Sequence, residues 1–423
     1  MLVFVLLLFL VLLLSGLPIV VAMGVPSLIY MWVESLPATT MAYSVYQALN
    51  SFPLLASPLF ILMGCLINEF GETEVMFRFA KSALRHAKGY TAKTNIIVSL
   101  LFAGMSGAAI ADIGGLGQIE IRAMEEEGFD RDYAAALTAT TSMVGPLFPP
   151  SIPLIIFAVC AQISSLQALM AGMLPAILIT IVMYIFVSVQ VRKKTLNPTQ
   201  PSPDGDKGLW QVTKESIHVL ILVPAIIVSM LCGVFSPSEA GAAAVLYLII
   251  IEAVRGKFKW SILKRAIVET ARETAGIFII IAVASLFTKV LTLERFPEMI
   301  SNWFLSFSNH PALVILMVNV MILIVGCFME TISALTILSP ILLGITGAIN
   351  MNPLQLGVIL VFNLTIGMLT PPFGVGLFTV SRIANRPMEK VLRQMLPLFV
   401  PLLIALLLIS YVPFFTTWLP GLL

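Results

Sequence analysis

The residues of this chain that could bind a ligand lie inside long apolar segments. Asp112 and Glu330 are acids in otherwise apolar sequence, where a charge is costly unless it is paired or hydrated. Such a carboxylate can bind an ion, a proton or a substrate, or it can cap the turn of a helical hairpin, and the sequence leaves these roles open. Hydroxyls such as those of Ser106 and Thr331 lie nearby, although Ser and Thr often bond the backbone of their own helix.

Two proline pairs interrupt apolar stretches that would otherwise form continuous helices, in GPLFPP (145–150) and GMLTPP (367–372). A proline removes a backbone donor, and its ring clashes with the carbonyl four residues earlier. At membrane depth, non-helical backbone is tolerated only where it is buried in protein or lines a cavity. Its free carbonyls suit a hard cation such as Na⁺, and helix N-termini suit an anion. A packing kink could account for one break, but a repeated break favours a binding site.

The two breaks belong to a diverged internal duplication with an offset of 222 residues. Gly145 then matches Gly367, and the glycines 41 residues upstream of the breaks, Gly104 and Gly326, match as well. Basic residues flank the first glycine-rich segment at both ends, whereas the second segment, 313–345, contains none. The positive-inside rule therefore places the two segments on opposite membrane faces. The pattern predicts an inverted repeat in which each copy has a re-entrant hairpin and a broken helix.

The composition indicates an all-α polytopic membrane protein. Of the 423 residues, 59% are hydrophobic and only 11% are charged, and the mean hydropathy is +1.02. Apolar stretches of about 18 residues or more, long enough to cross the hydrocarbon core, recur throughout, and the ~10-residue alternating segments of a β-barrel do not. The N-terminal apolar run is interpreted as a retained helix, because no basic residue precedes it and a second span follows. A net charge of +2 argues against nucleic acid as a partner.

Basic residues cluster in a few short connections, which are therefore predicted to be cytoplasmic. Val75–Lys88 and Phe258–Thr274 are predicted to lie along the cytoplasmic interface as amphipathic helices, with solvated loops as the alternative. Glu120–Asp132, which contains three consecutive glutamates, is predicted to be a solvated connection. The predicted organisation is a first repeat at 1–191 with a hairpin at 95–119 and a broken helix at 134–160, a cytoplasmic linker at 192–215, and an inverted second repeat at 216–423 with a hairpin at 311–345 and a broken helix at 354–381.

Four stretches of the chain, MSGAAIADIGGLGQIEIRAM, GPLFPPSIPLIIF, GCFMETISALTILSP and NLTIGMLTPPFGVGLF, resemble the DctM-like large membrane subunit of tripartite ATP-independent periplasmic (TRAP) transporters. The resemblance covers essentially the whole chain. It implies Na⁺-coupled uptake across a bacterial inner membrane by an elevator-type fold shared with divalent-anion/Na⁺ symporters. It also implies two protein partners besides membrane lipid: a small DctQ-like membrane subunit, expected as a separate chain, and a soluble DctP-like periplasmic binding protein that delivers the substrate.

The resemblance implies a substrate site between the hairpin tips and two or more Na⁺ sites where a tip meets a broken helix, with backbone carbonyls as most of the ligands. The implied substrate-binding residues are Ser106, Asp112, Thr331 and Ser333. The implied ligands of the first Na⁺ are Ser106, Gly107, Gly145, Pro146 and Pro149. The implied ligands of the second Na⁺ are Gly326, Cys327, Glu330, Thr331, Gly367, Met368 and Thr370. Because Phe328 stands where symmetry with Ser106 would place a hydroxyl, the two Na⁺ sites are not expected to be identical.

The expected function is secondary active uptake of a small organic acid, a C4-dicarboxylate or an acidic sugar such as sialic acid. The alternative is an ion or proton antiporter or channel that has no organic substrate and uses Asp112 and Glu330 as a relay. The chain is not expected to be an enzyme, because it has no paired Asp cluster, no metal-binding His or Cys spacing and no nucleophile motif. It also lacks a P-loop, so the energy for transport must come from an ion gradient or from another subunit.

Overall fold

The structure is a computed structural model that describes residues 1–192, 209–308 and 310–423. Within these ranges all of the secondary structure is helical, as expected in lipid, where backbone groups must bond within the protein. Most of the predicted linker 192–215 lies outside the described residues, which end at Arg192 and resume at Leu209.

Twenty-two α-helices are described in chain order. Residues 1–192 form α1 (Leu2–Leu14), α2 (Ile19–Val33), α3 (Ala38–Leu49), α4 (Ala56–Glu69), α5 (Glu72–Leu84), α6 (Tyr90–Ser106), α7 (Ala109–Gly115), α8 (Gly117–Glu126), α9 (Arg131–Thr141), α10 (Ile152–Ala161) and α11 (Ser165–Arg192). Residues 209–308 form α12 (Leu209–Leu220), α13 (Leu222–Leu231), α14 (Pro237–Val254), α15 (Trp260–Leu293) and α16 (Phe296–Phe307). Residues 310–423 form α17 (Pro311–Phe328), α18 (Thr331–Ala348), α19 (Pro353–Gly367), α20 (Val375–Ala384), α21 (Met388–Tyr411) and α22 (Phe414–Thr417).

Seven helical segments in the described ranges are long and apolar enough to cross a membrane: α4 with the turn before it, α11, α14, α15, α17, α18 and α21. The number rises to nine if the bent pairs α6–α7 and α12–α13 each form one span. Five shorter apolar helices, including α10, α19 and α20, accompany them. The prediction of an all-α polytopic membrane protein is therefore confirmed.

Helix breaks occur inside the segments where the sequence places them. In the first half, α6 and α7 meet at a bend of 118°, and Gly107 at the bend has a φ of +62°, which a residue with a Cβ rarely adopts. In the second half, Met329 and Glu330 separate α17 from α18, and α19 ends at Gly367 before the second proline pair. The opposite orientation of the two halves in the membrane stays a prediction.

The broken helices lie at the centre of the packed interior. Every residue is buried from 132 to 158 and from 355 to 369. α10 packs against α18 and α19, and α17 packs against α19, so elements of the two halves interleave. Outside this interior, α4 packs against α14 and α15, and α5 against α12. The fold therefore separates an inner group of hairpins and broken helices from an outer group of longer helices.

The prediction that Glu120–Asp132 is a solvated connection is wrong. α8 and the start of α9 occupy most of this segment, and Glu120 is only 1% exposed. The carboxylate of Glu127 accepts a hydrogen bond from the backbone N–H of Thr91 at 2.9 Å. Thr91 lies in α6, 36 residues before Glu127, so the run of glutamates does not reveal this partner.

The two segments predicted as interfacial helices differ from each other. α5 forms a helix over most of Val75–Lys88. Phe258–Thr274 does not form a separate helix, because α15 continues without interruption from Trp260 to Leu293. No proline occurs within those 34 residues to end the helix.

A buried ion cluster, here called the Glu72 cluster, joins α5, α12 and the end of α14. The carboxylate of Glu72 accepts hydrogen bonds from Arg255 and Lys257 at 2.7 Å each and lies 2.8 Å from Nε2 of His218. Arg255 also donates to Glu252 at 2.8 Å. Burial acts to raise the pKa of Glu72, but hydrogen bonds from His218 and Lys257 outweigh it and lower the pKa to about 2. The ionised carboxylate therefore holds three elements of the outer group together.

Candidate functional site

The first break consists of backbone that the prolines release from helical bonding. α9 ends in a 3-10 turn at Ser142–Val144, and the next helix begins only at α10. Gly145, Pro146 and Pro149, three predicted Na⁺ ligands, lie in this non-helical stretch, and a cis peptide bond joins Pro149 to the next proline. The carbonyl of Pro146 accepts a hydrogen bond from the hydroxyl of Ser151, which also caps α10. The break is thus an ordered turn, with side-chain hydroxyl and backbone groups facing each other.

The tip of the first hairpin contacts this break through backbone atoms. A Cβ placed on Gly107 would lie 2.5 Å from the carbonyl oxygen of Pro150, and one on Gly145 would lie 3.3 Å from the carbonyl carbon of Ala108. Neither glycine can carry a side chain without a shift of the backbone. Ser106, at the same tip, is 6% exposed, and its hydroxyl finds no hydrogen-bond partner in the described part of the chain. The structure therefore brings all five residues predicted for the first Na⁺ into one region.

The second hairpin and the second break approach each other even more closely. A Cβ placed on Gly367 would lie 2.6 Å from the Cα of Gly326, and one on Gly326 would lie 3.1 Å from the Cα of Gly367. Beside this contact, the backbone N–H of Phe373 donates to the carbonyl of Cys327 at 3.3 Å. Two glycines thus let α17 and the end of α19 touch through their backbones.

Met368 and Thr370 lie in the second break, next to this contact. The carbonyl of Met368 accepts from the backbone N–H of Gly376 at 3.1 Å. The hydroxyl of Thr370 donates to the carbonyl of Ile366 at 3.2 Å, as Thr residues near a helix end often do. Each of these oxygens keeps a free lone pair, so one existing hydrogen bond does not prevent it from binding a cation.

The residues at the tip of the second hairpin divide between capping and the open interior. The carboxylate of Glu330 accepts from the backbone N–H groups of Ile332 and Ser333 at 3.0 and 3.1 Å, so it caps α18. These bonds correspond to the capping role, which the sequence left open beside ligand binding. Thr331 is 5% exposed, and its hydroxyl has no hydrogen-bond partner among the residues described. The tip therefore presents one unpartnered hydroxyl beside an occupied carboxylate.

A cavity of about 670 Å³ lies between the two hairpin tips and the outer helices. The tips contribute Ser106, Thr331 and Ser333, and the breaks contribute Pro146 and Met368. The outer helices contribute Gly64 and Asn68 from α4 and Glu269, Glu273 and Gly276 from α15. Three of the four predicted substrate-binding residues thus line one space that is large enough for a small organic molecule.

Asp112, the fourth predicted substrate-binding residue, does not line this cavity. It lies on α7, is 2% exposed, and packs inside the first hairpin.

The charges that line the cavity are acidic. Glu269, Glu273 and Glu330 line it, whereas the described lining residues include no Lys or Arg. An anionic group entering this space would have to be bound by backbone N–H groups, hydroxyls or a bound cation. Sequence reasoning missed Asn68 and both glutamates of α15. The spacing of Glu269 and Glu273, one helical turn apart, was a usable signal, because it places two acids on one face of a helix.

Comparison with known proteins gives a consistent result. Residues 6–415 match the family model described as the tripartite ATP-independent periplasmic transporter, DctM component. The sialic acid TRAP transporter large permease protein SiaM of Vibrio cholerae is 36% identical over 382 residues, which is 90% of this chain and 89% of that protein. The permease SiaT of Haemophilus influenzae, named for sialic acid, is 34% identical over 99% of this chain and 68% of its own length. The C4-dicarboxylate permease DctM of Pseudomonas aeruginosa is 30% identical over 90% of this chain and 89% of that protein.

Two solved structures share the fold at low sequence identity. The YdaH transporter of Alcanivorax borkumensis superposes with a TM-score of 0.64 at 13% identity, over 91% of each chain. The efflux pump MtrF of Neisseria gonorrhoeae superposes with a TM-score of 0.53 at 14% identity, over 90% of this chain and 84% of that one. Both structures support the fold alone.

Proposed function

This chain belongs to the DctM component family of tripartite ATP-independent periplasmic transporters, and we propose that it takes up a small organic acid in symport with Na⁺. As a family member it is a multi-pass protein of the bacterial inner membrane. The observation that carries the proposal is the cavity bounded by both hairpin tips, each of which contacts a broken helix through glycine backbone. The cargo is proposed to be an acidic sugar such as sialic acid or a C4-dicarboxylate, the substrates named for three similar permeases.

Two Na⁺ sites are proposed where the tips meet the breaks. At the first, the unpartnered hydroxyl of Ser106 adjoins the backbone of Gly107 and Gly145. At the second, the unpartnered hydroxyl of Thr331 follows Glu330, whose carboxylate caps α18. Hard cations prefer oxygen ligands, including carbonyls and hydroxyls, and orphaned buried hydroxyls are costly unless something binds them. The donor groups present therefore suit Na⁺ chemically.

Movement of the inner group against the outer group is the proposed mechanism of access. The cavity has one wall made of tips and breaks and another made of α4 and α15. These walls are in close contact at one point, because a Cβ placed on Gly64 of α4 would lie 3.2 Å from the carbonyl oxygen of Met105 at the first tip. A sliding, elevator-type motion would separate the walls at this contact while keeping each tip attached to its own break.

Two protein partners are proposed from the family's tripartite organisation: a small DctQ-like membrane subunit and a DctP-like periplasmic binding protein. Large apolar side chains remain exposed on the outer helices, including Trp32, Trp210 and Trp260. Lipid or a membrane subunit would cover such side chains in the membrane. The binding protein would deliver the cargo and carry much of the selectivity, in keeping with the few polar groups of the cavity.

Reconstitution into liposomes tests the proposal directly. The chain is co-reconstituted with its small subunit, the binding protein is added outside, and uptake of radiolabelled sialic acid or succinate is followed. Uptake should require an inward Na⁺ gradient and should stop when K⁺ replaces Na⁺. Ser106→Ala should weaken the Na⁺ dependence, whereas Ser229→Ala should not, because the Ser229 hydroxyl bonds only its own helix at Ile226. Uptake of equal size with and without the gradient would refute Na⁺ coupling.

An ion or proton antiporter without organic cargo is the second candidate, and the buried, unpartnered carboxylate of Asp112 favours it. The capping bonds of Glu330 count against a relay, because they already occupy that carboxylate. Asp112→Asn and Glu330→Gln separate the two functions. A relay loses all turnover with either change, whereas Na⁺ sites built mainly from backbone survive at least one of them.

A further inference from the structure

A second buried polar site lies inside the first hairpin, and its side chains do not line the cavity. It is formed by Asp112 of α7 and Glu120 of α8, which are 2% and 1% exposed. α6 contributes Asn95, whose side-chain amide donates to Glu120 at 3.0 Å and to Thr138 of α9 at 2.7 Å. Thr141 of α9 donates to the amide oxygen of Asn95 at 2.6 Å. Four helices thus enclose two carboxylates and a short chain of neutral polar groups, here called the Asp112–Glu120 site.

The two carboxylates lack the partners that ionised groups need. Neither oxygen of Asp112 has a hydrogen-bond partner in the described ranges, and neither does Oε1 of Glu120. Asp112 and Glu120 lie on adjoining helices, α7 and α8, and Asp112 acts on Glu120 as a like charge. An ionised pair would therefore place two negative charges together in a dry interior without a compensating donor or cation, which is the most unfavourable arrangement for buried acids.

The basic and titratable groups of the surrounding helices are engaged elsewhere. Lys93 of α6 lies over the ring of Tyr184, and Arg122 of α8 pairs with Glu126. Arg131 of α9 donates to the carbonyl of Ala384 and to the carboxylate of Glu125. The remaining groups on these helices also have other partners. Asp132 accepts from Arg386, and Tyr133 donates to Gln190. Lys81 lies over the ring of Tyr90, and Arg382 of α20 lines a separate surface cavity. The described part of the chain therefore supplies no counter-charge to this site.

We propose that the Asp112–Glu120 site binds a proton at neutral pH, so that the two acids hold at least one proton between them. Two neighbouring carboxyls that share a proton carry one negative charge instead of two. The added O–H is a hydrogen-bond donor, which a bare carboxylate oxygen can accept. Asn95 and Thr138 then complete the bonds of Glu120. The site goes beyond Na⁺ coupling, because Asp112 and Glu120 are not among the predicted Na⁺ ligands and do not line the cavity.

The position of the site gives the proton a consequence for the hairpin. α7 begins three residues after Ser106, and α6 carries both Ser106 at its end and Asn95 about three turns earlier. Deprotonation would drive water or a cation into the space between α6, α7 and α8. The proton therefore keeps the arms of the first hairpin packed together, and it would travel with the hairpin in the proposed transport movement.

Infrared spectroscopy of the purified full-length chain tests the proposal without knowledge of the cargo. The C=O stretch of a protonated carboxyl is separate from the bands of ionised carboxylates. At neutral pH, the difference spectrum of wild type minus Glu120→Gln should show loss of a protonated-carboxyl band, and so should that of Asp112→Asn. The matched control, Glu126→Gln on the same helix, should show no such loss, because Glu126 is exposed and paired with Arg122.

Two further measurements keep the test decisive. If either variant fails to fold, wild-type protein labelled with ¹³C at aspartate or glutamate carboxyls should still show the buried protonated band shifting with the label. Spectra in Na⁺ and in choline then distinguish the bound species. A band that is absent in both media shows an ionised pair and overturns the proposal. A band that appears only when Na⁺ is removed shows that the site binds Na⁺ instead, which also overturns it, while the uptake experiments above judge Na⁺-coupled transport independently.

Discussion

Substitution of Gly367 by alanine should separate the second hairpin from the second break. The Cα of Gly326 and its carbonyl carbon would both lie 2.6 Å from the new Cβ, and the backbone nitrogen of Cys327 would lie 3.1 Å from it. All three are backbone atoms, so no side chain can rotate away to make room. α17 must move relative to α19, and the predicted ligands Gly326 and Cys327 move with it.

The size of the effect follows from these distances. Non-bonded carbons prefer to be about 3.5–4.0 Å apart, so the helices must separate by roughly 1 Å. Overpacking of this kind costs about 1–3 kcal/mol. The gain in helix propensity from Gly to Ala, up to about 1 kcal/mol inside a helix, is small at Gly367 because it is the last residue of α19. The weak hydrogen bond from Phe373 to Cys327, 3.3 Å long, should be lost as well.

Thermal unfolding at increasing Na⁺ concentration measures both consequences. Wild type should be stabilised by Na⁺ as a ligand that binds the native state. Gly367→Ala should unfold at a temperature lower by a few degrees and should need at least about tenfold more Na⁺ for the same stabilisation, which corresponds to about 1.4 kcal/mol of binding energy.

The matched control is Gly347→Ala. Gly347 lies inside α18, and a Cβ placed on it would meet nothing within 4 Å, so this variant should keep the Na⁺ response of wild type and its stability or slightly more. If Gly367→Ala has the stability and the Na⁺ response of wild type, the backbone contact does not hold the second site together and the reasoning fails.

Three other substitutions test the packing around the site. Gly172→Ala should lower the thermal unfolding temperature and disturb the first break, because the new Cβ would overlap the carbonyl oxygen of Leu147. Glu72→Gln should cost about 3 kcal/mol of stability at pH 7. Burial acts to raise the pKa of Glu72, but the hydrogen bonds of its cluster outweigh burial and lower the pKa from the ordinary 4.5 to about 2. The stabilisation is therefore fully present above pH 4.5 and is lost as the pH falls toward 2. Thermal unfolding measured across that range should show the difference between the variant and wild type shrinking toward pH 2. Asp132→Asn should have a smaller effect of the same sign, because a hydrogen bond from Arg386 lowers the pKa of Asp132; an effect that grows on acidification would contradict this.

The spans and the helix breaks could be predicted because their causes are local. A proline pair ends a helix wherever it occurs, and an apolar run of sufficient length predicts a span without knowledge of its neighbours. Gly145, Gly326 and Gly367 could be singled out because the duplication repeats glycines at a constant offset. Their physical role, which is to let two backbones touch, becomes visible only when the distances are known.

The acidic residues could not be placed, because their environment is set by segments distant in sequence. Glu120 is buried by Asn95 and Thr138, which are 25 residues before it and 18 after it in the chain. Its neighbours Glu125 and Glu126 are exposed, so local charge predicted the environment of these two residues but not that of Glu120. Glu273 lies within the segment predicted to lie at the interface, but that segment is the first part of α15, and Glu273 lines the cavity.

The two halves of the chain have kept their backbone features and diverged in their acids. The glycines and prolines of the breaks recur 222 residues apart, and each hairpin touches its break where a glycine has no side chain. By contrast, Asp112 corresponds to an alanine in the second half, and Glu330 corresponds to an alanine in the first. Their environments differ too, since Glu330 caps a helix beside the cavity while Asp112 is enclosed behind the tip. A function shared by both halves, such as the proposed binding of Na⁺, must therefore rest on backbone geometry. The acids instead make the two hairpins differ, because Glu330 caps a helix and Asp112 belongs to the proposed proton site.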